Sequence, residues 1–302
     1  MILTNMQAIL NESTKNNGNN WAHIQRQNRQ ILETVLDRFN LNTKRILLLG
    51  AGNGNDLPLD FIEKTFDHIE VVDIDKSALN RLLEKVHNKN KFSLKICDFT
   101  GLNNYDSLIH KIINETSMIK KGRLIKQLQP SPNLKDLSYD NDIVMNCNFS
   151  TQLLMPITPH LVELPPEIGY PINFLSNKIH AKLLFEQIKE HLNPNGILLH
   201  SSDTFELSGN KYGVNPAFKP LMSLINNKFD NIYNLVNVDQ KEFDKLIEQG
   251  LNIIGSLLPS NHKKIYEHLT TFRALWYFKQ SPEEFKIYIV FLRVLKLKPR
   301  FL

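Results

Sequence analysis

Three glycines and two aspartates carry most of the chemistry legible in this 302-residue chain. In RILLLGAGNGND, residues 45–56, an apolar run breaks at Gly50, Gly52 and Gly54, and an apolar segment resumes at Leu57. Glycine lets a backbone turn sharply and pass close to a ligand, which a side chain would prevent. A second apolar run, IEVVDID, reaches Asp73 nineteen residues after Gly54. An acid about 20 positions beyond a glycine-rich strand–helix turn is placed to hydrogen-bond ribose hydroxyls. A third short run ends on Cys97–Asp98–Phe99. Three strand ends, each with a nucleoside-compatible group, point to a fold that holds a nucleoside cofactor.

The spacing departs from the dinucleotide fingerprint G-x-G-x-x-G, because here G-x-G-x-G is followed by Asn55–Asp56. With DIDKSAL at 73–79 and the Cys-Asp-Phe triplet, the chain resembles the class I S-adenosylmethionine (SAM)-dependent methyltransferases. The resemblance covers residues 43–104 well and continues more loosely through 142–149, 191–203 and the terminal hairpin. It implies SAM as cofactor, with Gly50, Ala51, Gly52 and Gly54 passing beneath the methionine moiety and ribose. It further implies that Asp73 holds the ribose with Ile74 beside it, and that Asp98 caps the adenine amino group with Phe99 alongside the ring. Asn146 closes the fourth strand, at the sheet end where ligands bind, and is an expected cofactor contact. Asp75 suits the N-cap of the helix beginning at Lys76, which leaves Asp73 for the ligand.

Methyl transfer from a sulfonium needs mostly proximity and orientation, and a base only where the acceptor must lose a proton. His160, His200 and Asp203 are the candidate catalytic residues, since His200 and Asp203 close the fifth strand, His160 lies in the loop after the fourth, and histidine titrates near neutrality. No His/Cys/carboxylate cluster has metal-ligand spacing, so no metal is expected. The Asn/Asp-Pro-Pro-aromatic string of many amino-methylating enzymes is absent, Asn146–Cys147–Asn148–Phe149 standing in its place. A formal net charge of +5 and a pI near 9.0 admit a nucleic-acid acceptor. The lysines are scattered, however, and a small-molecule acceptor is favoured. A homodimer is allowed. Two other readings stay open: an aminopropyl or aminocarboxypropyl transferase on the same fold, or a non-catalytic SAM-fold binding protein.

The elements that must position these residues alternate. Strands are expected at 45–50, 69–74, 92–97 and 142–147, with helices at 57–66, 76–88 and 104–114, the signature of a parallel sheet covered on both faces. A fifth strand is expected at 197–203 after the turn NPNG, and residues 272–298 read as a hairpin around 281–284. The fold class is α/β: a doubly wound, mostly parallel seven-stranded sheet with a C-terminal antiparallel hairpin. Residues 1–42 form an N-terminal helical extension, with 1–18 polar and frayed and a helix over 21–39. Residues 43–302 form the SAM-binding domain, with insertions at about 115–140 and 205–268. The second insertion, with the loop 156–171, is expected to roof the acceptor pocket, lined by Phe205, Tyr212, Phe218 and Tyr170. Two cysteines, no signal-like amino terminus and no apolar stretch of about 18 residues predict a cytoplasmic protein without disulfides or membrane spans.

Overall fold

Near-continuous apolar runs form strands when both faces of a sheet are covered, and β1 (Arg45–Leu49), β2 (His68–Asp73) and β4 (Asn141–Asn146) follow that rule. The computed structural model describes residues 1–15, 18–154, 175–210, 213–251, 258, 262–279 and 283–301. β3 (Phe92–Ile96) and β5 (Leu192–Asn210) extend the parallel sheet. β7 (Tyr266–Lys279) and β8 (Glu284–Leu297) add an antiparallel hairpin, giving the order β3-β2-β1-β4-β5-β8-β7. The expected doubly wound α/β fold is present. The short β6 (Gly213–Val214) pairs with the end of β5 as an eighth strand. Strand order reverses beside β1, whose neighbours are β2 and β4, and ligands bind at the carboxyl ends of such a switch point.

Helices α2 (Gly18–Phe39), α3 (Leu59–Thr65) and α4 (Lys76–Leu83) cover one face, burying Ile24, Val35, Ile62 and Leu79 against Leu48, Val71 and Met145. On the other face Leu183, Phe185 and Ile188 pack on Leu49, Val144 and Leu198. Helix α2 also closes the open edge of β7. Leu275 N–H donates to Gln27 Oε1 at 3.1 Å and Tyr277 N–H donates to His23 Nε2 at 3.2 Å. Edge-strand donors left unpaired invite another strand.

Four expectations need correction. Residues 2–14 are not frayed but form α1 (Ile2–Thr14), whose Leu3 is buried with Leu102, Ile109 and Ile112. Residues 115–140, expected as an insertion outside the compact fold, are packed into it: α6 (Met118–Ile125) sets Ile125 beside α5 (Asp106–Asn114), and Leu134 and Leu137 lie in the core beneath the sheet. β5 does not stop at 203 but runs to Asn210. Within it the NPNG turn is a bulge, because Leu192 pairs with Asn141 and Ile197 with Ile143. A second bulge leaves Thr204 over, since Asp203 pairs with Val290 and Phe205 with Ile289. One extra residue shifts the face of everything beyond it. Asp203 and Glu206 therefore face one side, while Phe205 and Leu207 face the other.

The fourth correction concerns the roof. Residues 205–210 belong to β5 and 266–268 to β7. Between them, Lys219–Ser223, the 3₁₀ segment Phe229–Asn237 and the helix Gln240–Glu248 close over Phe205, Leu207, Leu275, Ile289 and Phe291. Phe243 stacks on Phe205 with centroids 5.4 Å apart and meets Phe291 edge-on at 5.4 Å. The insertion thus packs on the outer face of the extended sheet, away from the cavity described below. Phe205 and Phe218 lie in this second core, while Tyr170, Tyr212 and the loop 156–171 lie outside the described residues.

Candidate functional site

A cavity of about 550 Å³ opens at the carboxyl ends of β1 to β4, within the range of small-molecule sites. Its floor is the glycine loop. Gly50 and Ala51 both donate to Val72 O, at 2.8 and 3.1 Å, which turns the chain sharply off β1. Gly50 has φ +72°, and a Cβ there would collide with Phe149 Cβ. That close approach lets the Phe149 ring lie 4.5 Å from Phe99, forming an apolar base. Gly52, with φ +49°, points the other way: its Cβ would meet only Asn11 Oδ1 at 3.5 Å and Asp73 Oδ2 at 3.9 Å, at the cavity wall.

Asp73 ends β2 almost fully buried. Its Oδ2 accepts the Gly52 N–H at 2.8 Å and its Oδ1 the Asp75 N–H at 2.9 Å. Asp75 in turn caps α4 by accepting from Ser77 N–H at 2.9 Å, as its place before Lys76 led one to expect. Burial raises the Asp73 carboxyl to about 6, and burial likewise raises Asp56 to about 6. Asp98 lines the cavity, but its oxygens also build the loop after β3, accepting from Thr100 N–H at 2.9 Å and Asn103 N–H at 2.8 Å.

The expected residues divide. Gly50, Ala51, Gly52, Asp73, Ile74, Asp98, Phe99 and Asp203 line the cavity. Gly54 does not; it faces Leu82, whose Cδ1 would lie 2.8 Å from an added Cβ, so its part is helix–sheet packing. Asn146 and His200 do not line it either. Both are fully buried and bonded to each other, Nδ2 to Nδ1 at 2.7 Å. Burial, reinforced by Arg293, holds the His200 pKa well below its usual value and keeps the ring neutral. It has no path to a substrate in the cavity. His160 lies outside the described residues. Among the described residues no group of three side chains is arranged to hold a metal.

Sequence reasoning missed the cover. One stripe of α1, Leu3, Gln7, Leu10, Asn11 and Thr14, runs along the cavity. Those positions share a helical face, a signal that was present in the residue numbers. Its carboxyl end is fixed to the loop by polar contacts: Asn53 Nδ2 donates to Asn11 O at 2.7 Å, Asn55 Nδ2 to Thr14 O at 3.1 Å, and Asn11 Nδ2 to Asp75 Oδ2 at 3.0 Å. Also missed were Asp56 and most of the far wall, where Trp276, Phe278 and Tyr288 stand with Trp21 beside Glu206 and Lys286.

No protein-family model matches the sequence, and no curated protein matches it. Among solved structures the chain is similar to a SAM-dependent methyltransferase from Anabaena variabilis ATCC 29413, with 10% identity and a TM-score of 0.48 over 98% of this chain and 95% of that one. It is also similar to a S-adenosylmethionine-dependent methyltransferase from Clostridium acetobutylicum ATCC 824, with 10% identity and a TM-score of 0.38 over 88% and 91%. A third is the N-methyltransferase NodS from Bradyrhizobium japonicum WM9 in complex with S-adenosyl-L-homocysteine, with 10% identity and a TM-score of 0.39 over 89% and 87%.

Proposed function

We propose that the protein is a SAM-dependent methyltransferase acting on a small molecule. The carrying observation is the shape of one wall: Gly52 presents bare backbone to the cavity, directly beside the buried carboxylate of Asp73. An adenosyl cofactor needs both, a surface without a side chain and an acceptor for paired hydroxyls. The residues present fit such a group. Asp73 spends one lone pair per oxygen on backbone and keeps others for ribose, while Phe99 and Ile74 supply apolar surface for a base. SAM, when bound, supplies a methyl group already activated by the sulfonium charge. The chain's own task is then to orient the acceptor and exclude water, and α1 lies where it would do the latter. A cavity covered by a helix suits a small acceptor better than a nucleic-acid strand, which needs an open basic groove.

Titration calorimetry with SAM and with S-adenosylhomocysteine tests the cofactor half, and absence of binding by both would overturn it. Analysis of the spent cofactor tests the reaction: S-adenosylhomocysteine is expected, whereas methylthioadenosine would mean aminopropyl transfer.

A further inference from the structure

We propose that Arg293, His200 and Ser202 form a buried oxyanion site, separate from the cofactor cavity, that takes a phosphate group. The strand register places it. His200 and Ser202 alternate along β5, and His200 lies directly opposite Arg293 of β8. All three side chains therefore share the sheet face that carries the inserted helices. Neither His200 nor Arg293 lines the cavity. Ser201, turned to the other face, gives its hydroxyl to Asn148 Oδ1 at 2.6 Å, and Asn148 does line it. The sheet itself stands between the two sites.

The first observation is a guanidinium without a counter-charge. Arg293 is only 8% exposed. Among the described residues it donates one hydrogen bond, Nη1 to Ser202 Oγ at 3.1 Å, lies over the Phe291 ring at 5.2 Å, and joins no ion pair. Asp244 acts on it only through space, and burial brings its pKa down to about 10. A buried charge is stable when it is paired, and arginine offers five N–H donors in a rigid fork. The second observation is His200. Asn146 Nδ2 donates to its Nδ1, which leaves the ring proton on Nε2, and that atom is fully buried with no partner. An orphaned buried donor calls for an acceptor. Asn146 Oδ1 is buried and unpartnered too, one acceptor beside the donors, which suits an oxyanion that retains a proton. His180 and His262 are buried close enough to lower the His200 pKa further, yet no three of the described groups are arranged to hold a metal.

Hydrogen phosphate fits by its donors and acceptors. Two of its oxygens take parallel N–H groups of the guanidinium, a third takes His200 Nε2–H, and its own proton faces Asn146 Oδ1. Held there, the anion ties β8 to β5 at the level where β4 ends, since Asn146 pairs with His200 and His200 with Arg293. It braces the strand that carries Glu206 into the cavity. Such a site is independent of the methyl-transfer reading above.

The test compares melting of the full-length protein in sodium chloride, sodium phosphate, sodium sulfate and glycerol phosphate at equal ionic strength. Phosphate at about 20 mM is expected to raise the melting temperature by about 5 °C, and sulfate, which has no proton to offer Asn146, by less. A rise with inorganic phosphate alone assigns the site to the free ion; an equal or larger rise with glycerol phosphate assigns it to a phosphate ester. Excluded salts stabilise folded proteins in general, so the variants separate a site from a solvent effect. Arg293→Met should lose the rise that phosphate gives over chloride. Arg293→Lys keeps the charge without the fork and should need about tenfold more phosphate for the same rise. In both, calorimetry should show unchanged S-adenosylhomocysteine affinity. Equal melting in all four salts, or an Arg293→Met protein that responds like the wild type, overturns the site. If Arg293→Met does not fold, a wild-type response from Arg293→Lys overturns it equally. S-adenosylhomocysteine binding without a phosphate response sinks this proposal and spares the methyltransferase reading. A phosphate response lost in the variants, with no S-adenosylhomocysteine binding, does the reverse.

Discussion

Asp73 shapes the glycine loop and lines the cavity with one carboxylate, and its burial sets how it does both. Raised to about 6, it prefers the proton in the folded protein more than in the unfolded chain. Ribose hydroxyls are better held by the ionised form, so affinity for S-adenosylhomocysteine should fall as pH drops through about 6, measured by calorimetry between pH 5 and 8 (about neutral on either side). Asp73→Asn should flatten that profile. Stability runs the other way. A carboxyl raised from 3.8 to about 6 contributes stability that is complete below the lower value and lost as pH rises through the higher. Asp56→Asn should therefore stabilise the protein at neutral pH by about 1 kcal/mol, discounted for its partial exposure, and have no effect near pH 4, as thermal melts would show. Gly52→Val should abolish cofactor binding, since the side chain would enter the cavity, while the left-handed backbone adds about 1–2 kcal/mol of strain. Normal affinity in that variant would remove the loop from the site. At this scale the sequence was most legible where spacing is local. The capping role of Asp75 followed from its place one residue before the helix at Lys76. Asn146 and His200 were misplaced because strand parity decides which face a strand-end side chain takes, and that parity depends on pairing partners far along the chain.

Elements were legible wherever one period persisted. The βα repeat from Arg45 to Asn114 was found to within a few residues at most boundaries because each run was short, apolar and punctuated by polar turns. β5 was cut short because alternation slips at Thr204: Leu199 and Asp203 share a face, and past the bulge Glu206 continues it. Helix α1 was overlooked because its stripe of Leu3, Gln7, Leu10 and Asn11 mixes apolar and polar residues, which lowers the amphipathic signal. That mixture also defines how α1 behaves. Its carboxyl end is held on the glycine loop by side-chain amides more than by apolar burial, so it should open at lower cost than the core. Asn53→Ala removes the bond to Asn11 O and should speed both association and dissociation of S-adenosylhomocysteine several-fold, with global melting changed by only about 1 kcal/mol. Stopped-flow kinetics would read it, and unchanged rates would mean that ligand enters elsewhere.

Among the described residues, separate apolar cores pack on the parallel and the antiparallel halves of one sheet. The parallel half positions the candidate site, and the extended β5–β8–β7 half carries the aromatic wall on one face and the inserted helices on the other. Phe243→Ala should cost about 3–5 kcal/mol of stability, yet S-adenosylhomocysteine affinity in the folded fraction should be unaltered, because the second core lies behind the sheet. A loss of affinity out of proportion to unfolding would put the insertion back at the site.

The contact of His23 and Gln27 with β7 bears on how the chain is made. A ribosome delivers α2 long before β7, and the β7–β8 hairpin, which joins the sheet beside β5, follows all the other strands in the chain. The acceptors for Leu275 and Tyr277 are already waiting on a finished helix when that strand arrives. Two backbone donors of this edge strand thus have partners on a helix made before it. A protein refolded from denaturant lacks that order of events. Its yield should depend more steeply on concentration than the yield of the same chain made by translation.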